Sequence, residues 1–124
     1  MRNTNDNTFI LSNIESKVEG KNMKAKEARE KYLPKFQEIQ RYLGEALTEE
    51  QKKVEQGGRK GIYAYYYTIR IMNILNEVQE VIDALKGYDD DFDVDEAEIE
   101  MKLRIIREEI AELPLVVSYD KNNV

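Results

Sequence analysis

A chain of 124 residues with a net charge of −6 is long enough for one domain with a buried core and too short for two comfortable ones. That charge argues against a general affinity for nucleic acid or an anionic membrane. The absence of cysteine and histidine excludes disulfides, Cys/His zinc sites, cysteine nucleophiles and Ser-His-Asp triads.

With 41% hydrophobic and 35% charged residues, six glycines and two prolines, the composition predicts a globular, helix-rich protein. Charge is unevenly placed along it. Residues 17–35 hold seven Lys/Arg against three Glu, and residues 88–112 hold eleven Asp/Glu against three Lys/Arg. A basic front and an acidic back are able to pair with each other or with a neighbour. The opening MRNTNDNTFILS lacks a signal-peptide core and no apolar run approaches a membrane span, so the expected location is cytoplasmic.

Residues 1–8, polar and Asn-rich, read as a flexible N-terminus. Phe9, Ile10, Leu11, Ile14 and Val18 follow. Ser12 with Glu15 forms a capping box, which predicts a short helix over 13–19 stopped by Gly20. The next helix spans 23–47, with Ala25, Ala28, Tyr32, Phe36, Ile39, Leu43 and Ala46 forming a steady helical stripe. Pro34 inside it predicts a kink near Leu33 or two helices end to end. Thr48 and Gln51 form a second capping box, from which TEEQKKVEQ restarts as helix before Gly57 and Gly58 end it.

Residues 57–87 are the organising element, opened by two glycines, closed by one and free of proline. Two apolar stripes run along this helix. Ala64, Tyr67, Ile71, Ile74, Leu75, Val78, Val81, Ile82 and Leu85 extend over its full length. Ile62, Tyr65, Ile69 and Met72 lie roughly opposite, over the first half alone. A helix apolar on two sides must be covered twice, so its N-terminal half is expected to be the more enclosed, its second stripe covered either by the Phe9–Val18 segment of the same chain or by another chain.

After Gly87 the turn YDDDFDVD leads into the last helix, capped by Asp93 or Asp95. Its seam is Ile99, Leu103, Ile106, Ile110 and Leu113, the spacing of coiled-coil packing. Glu98–Lys102 and Glu100–Arg104 are spaced as supporting ion pairs, and Pro114 ends the helix. The expected fold is all-α, a compact bundle of three main helices (the first kinked at Pro34) plus a short N-terminal helix. The bundle domain covers 9–114 and a C-terminal tail covers 115–124.

Three groups of residues suggest chemistry. Arg59, Lys60, Tyr63, Tyr66, Tyr67 and Arg70 mix cations with aromatic rings, a pattern that suits stacking of single-stranded nucleic acid. Asp89, Asp91, Asp93 and Glu100 fall at positions one, three, five and twelve of a loop that resembles the calcium-binding EF-hand. The sixth position is Val94, where that family has a glycine with positive φ, so a cation at Asp89–Asp95 is not expected. Glu77 and Glu80, with Glu109 and Glu112, look like the paired ExxE…ExxD carboxylates of all-α nucleotide pyrophosphatases of the MazG type, with Glu112 where that family has Asp. The resemblance implies Mg²⁺ held against a triphosphate.

The leading expectation is a non-catalytic protein-interaction module, without cofactor or metal, that self-associates or docks on a larger complex. Its interface is Ile62, Tyr65, Ile69 and Met72, with Arg59 and Arg70 at the rim. The alternative is single-stranded nucleic-acid binding through Lys60, Tyr63 and Tyr66; the third is a carboxylate-metal pyrophosphatase.

Overall fold

A computed structural model describes residues 22–114. The expected helix over 13–19, the N-terminus over 1–8 and the tail over 115–124 lie outside them. The order is β1 (Asn22–Lys24), α1 (Ala25–Gln56), α2 (Gly58–Gly87), β2 (Asp93–Asp95) and α3 (Glu96–Ala111). This is an all-α bundle of three packed helices, with one short strand pair at its base.

The first helix runs continuously through both Pro34 and Thr48, so neither of them separates two helices. Pro34 lies within α1, exposed, and the carbonyl it deprives of a donor belongs to Glu30, also on the wet side. Buried Tyr32 and Phe36 anchor the helix on either side of the proline. Thr48 does not cap a new helix either. Its hydroxyl donates to the Gly44 carbonyl one turn back at 3.1 Å, inside continuous helix. At the start of α1 the Lys24 N–H donates to the Glu27 carboxylate at 3.3 Å.

Gly57 and Gly58 turn the chain with φ of 77° and 74°, a left-handed backbone that glycine adopts without steric cost. The two long helices then run back along each other. Gly61 makes their close approach possible, because a Cβ there would stand 3.1 Å from the Lys53 carbonyl oxygen. The predicted α1 stripe is wholly buried, joined by Tyr42 and Glu50. Ala64, Ile71, Ile74, Val78, Ile82 and Leu85 of α2 meet it, and Tyr67, Leu75 and Val81 are half-buried at its margin.

At the base the chain pairs its own basic front with its acidic back. Met23 is registered with Val94 in the antiparallel ladder, flanked by Asn22 with Asp95 and Lys24 with Asp93. Lys24 Nζ meets Asp93 at 3.0 Å, Lys31 meets Glu96 at 2.6 Å and Arg29 meets Asp90 at 2.8 Å. Arg29 also donates to the carbonyls of Leu85 (3.0 Å) and Tyr88 (2.7 Å), tying α1 to the end of α2. Of the two candidate caps for α3 it is Asp95 that serves, accepting from the Ala97 N–H at 3.0 Å.

Ile99, Leu103, Ile106, Ile110 and Leu113 are all buried, as their spacing predicts. Glu100 turns to the Tyr32 hydroxyl instead of Arg104, and Arg104 pairs with Glu108 at 3.7 Å. With 16 residues against 30, α3 is about 24 Å long beside the roughly 45 Å of α2. Its end reaches only as far as Arg70, through Glu112 at 3.6 Å. The expectation for α2 is therefore reversed among the described residues. Its C-terminal half packs on both α1 and α3, and its N-terminal half has α1 beside it and meets the end of α3 at Arg70.

Candidate functional site

The second stripe of α2 is exposed along its whole extent. Ile62 is 71% and Tyr65 60% accessible, with Ile69 and Met72 close to half. Tyr63 and Tyr66 stand equally free beside them, and Arg59 and Lys60 are exposed at the helix start. All the residues predicted for an interface thus share one end of the hairpin. Arg70 is more constrained than a rim residue. Its guanidinium lies 5.9 Å from the Tyr66 ring centre and is held from the other side by Glu112. Tyr66 in turn meets Tyr67 edge to face at 5.6 Å.

Further along α2 a second feature appears that the sequence did not reveal. A groove of about 690 Å³ runs between α2 and α3 down to the ladder. Its floor is apolar, from Val81, Leu85, Val94, Ile99 and Ile106. Tyr88 and Phe92, stacked at 4.7 Å between ring centres, wall its lower end. Glu77, Glu80, Asp93, Asp95 and Glu98 line it against one cation, Lys102. The groove is assembled from residues of α2, the ladder and α3 that are far apart in sequence, and Ile105 off the α3 seam was its single sequence signal.

The carboxylates singled out for metal chemistry are employed separately. Glu77 and Glu109 do meet across the α2–α3 contact, but Glu112 goes to Arg70 and Glu80 to the groove. Burial, followed by the hydrogen-bonding proximity of Glu77, pushes the Glu109 carboxyl above its ordinary value. In the acidic turn, Asp93 is committed to the ladder and Lys24, Asp95 to the α3 cap and Asp90 to Arg29. Among the described residues no three carboxylates gather as a metal-ligand set. Tyr32 is buried with its hydroxyl between Glu96 (2.6 Å) and Glu100, and burial first, then these two bonds, raise its pKa far above that of a free phenol.

No described helix is long and apolar enough to cross a membrane. Comparison of the chain with protein-family models, with curated proteins and with solved structures returned no match.

Proposed function

We propose that this protein is a non-catalytic helical interaction module that associates with a second copy of itself through the exposed face of α2. One observation carries the reading. Ile62, Tyr65, Ile69 and Met72 stand in water on a helix whose opposite side is already core. Contiguous apolar surface of this kind marks a contact site, and covering each aliphatic side chain contributes about 1.5–3 kcal/mol. The same helix supplies the apolar contact, cations in its first half (Arg59, Lys60, Arg70) and mainly carboxylates in its second (Glu77, Glu80 and Asp83, beside Lys86), which suits a copy of itself as the partner. Light scattering over a range of concentrations tests the proposal. The wild-type chain should dimerise, and Ile69→Asp should yield a helical monomer. A wild-type chain that stays monomeric throughout removes this function.

A second reading draws on the exposed rings of Tyr63 and Tyr66 beside Arg59 and Lys60, an arrangement suited to stacking and steering a single strand. The acidic groove further along α2 opposes it. Anisotropy of a labelled oligonucleotide distinguishes the two, since binding that weakens steeply with salt favours the strand.

A further inference from the structure

The seating of the second copy rests on that self-association and is legible in the shape of α2 itself. Ile62, Tyr66, Arg70, Glu77, Glu80 and Ala84 succeed one another in steps of three, four or seven, so they lie on one side of the helix. That single side has two unlike halves. Its first half is aromatic and aliphatic with Arg59 and Lys60 at its end, and its second half is the margin of the apolar groove lined by Glu77, Glu80 and Glu98.

We infer that two copies pair antiparallel along α2, so that the cationic, aromatic tip of each hairpin enters the acidic groove of the other. The tip and the groove margin lie toward the same side of α2, bordered by the Tyr65, Ile69 and Met72 stripe, and between them Glu112 and Glu109 touch that side at Arg70 and Glu77. An antiparallel two-fold arrangement therefore satisfies both tip-to-groove contacts at once, which is the self-complementarity that a closed dimer requires. Parallel pairing sets Arg59 and Lys60 against their own copies and the groove carboxylates against theirs, and like charges in apposition oppose association. The groove also offers what the tip lacks among the described residues of its own chain. Its apolar floor accepts Ile62 and Tyr66 while Glu80 and Glu98 face the incoming cations. The Tyr88–Phe92 stack closes the end of the groove and sets how far the tip advances.

Charge reversal decides the matter by sedimentation of the full chain. Arg59→Glu/Lys60→Glu and Glu80→Lys/Glu98→Lys should each weaken the homodimer by about tenfold or more at low salt, a loss that added salt partly relieves by screening the new like-charge contacts. Mixed in equal amounts, the two variants should form a heterodimer, because both of its tip-to-groove contacts again join opposite charges. All four positions are exposed, so circular dichroism of each variant should match the wild type. A wild-type dimer untouched by either reversal overturns this arrangement while leaving self-association through α2 standing. Charge-dependent polymers larger than a dimer overturn the closed two-fold pairing. A monomeric wild type removes the premise itself.

Discussion

Glu109 of α3 turns its carboxyl toward Glu77 of α2, and its Oε1 is buried without a hydrogen-bond partner. Two carboxylates so placed repel when both are ionised and share a hydrogen bond when one holds a proton. The helix contact is therefore held more tightly in acid than in base.

The sign follows from linkage. A carboxyl whose pKa is raised by folding binds its proton more strongly in the folded state, so its stabilisation is complete below the ordinary carboxylate pKa and lost as pH rises through the raised value. Glu109→Gln keeps a hydrogen-bonding group without the charge. It should raise stability at about pH 7.5 by roughly 0.5–1 kcal/mol, with the gain vanishing near about pH 4. Thermal melts of both proteins across that range check this; a variant less stable at the upper end contradicts it.

Arg29 binds three acceptors on the far side of the base, the carbonyls of Leu85 and Tyr88 and the Asp90 carboxylate. Arg29→Ala should cost about 2–3 kcal/mol in urea unfolding, and Arg29→Lys should recover little, because a point ammonium cannot span that fork. Full recovery by lysine shows that charge alone matters there.

Leu103 and Ile106 seal α3 onto the hairpin, both almost wholly buried. Either one changed to alanine should cost about 2–5 kcal/mol. A loss below about half a kcal/mol at both means that α3 is not holding the core.

Two glycines of the hairpin should respond in opposite senses. A methyl group at Gly44 would meet nothing within 4 Å, so Gly44→Ala should stabilise α1 by about 0.5–1 kcal/mol. Gly61→Val drives a branched side chain against the Lys53 carbonyl oxygen, 3.1 Å from its Cβ, and should cost about 1–3 kcal/mol. Denaturant melts that rank the two the other way displace the close approach of α1 and α2 from its place in the fold.

Much of the architecture was legible because its periodicity is undiluted. The α1 stripe from Ala25 to Ala46 and the α3 seam from Ile99 to Leu113 are all buried. Glu50 escaped notice because it continues the stripe one turn beyond Ala46 as a carboxylate, and it is buried with Lys53 as its partner at 3.0 Å. The strands are three residues each, too short to alternate visibly, and the Arg29 contacts join positions 56 to 61 residues apart with no local pattern. No separate helix begins after Pro34 or at Thr48, since local stop and start signals yielded to a continuous buried face. For the candidate surface, the apolar stripe of α2 was readable residue by residue. The acidic groove was not, because its lining comes from α2, the ladder and α3 together.

Gly57 lies midway between the residues that α1 and α2 bring together. Lys53 and Gly61 approach each other four residues on either side of it, and Arg29 reaches the Leu85 carbonyl from 28 residues on either side. Chain closure between successive partners therefore lengthens in small steps outward from the turn, and each step adds little entropic cost to the one before. Such a hairpin should form as a zipper, with the β1–β2 ladder arriving last because it joins positions most distant in the chain. Lesions at the two ends of that order then leave different kinetic marks. Gly61→Val, at the first rung, slows refolding, whereas Arg29→Ala, at the last, chiefly speeds unfolding.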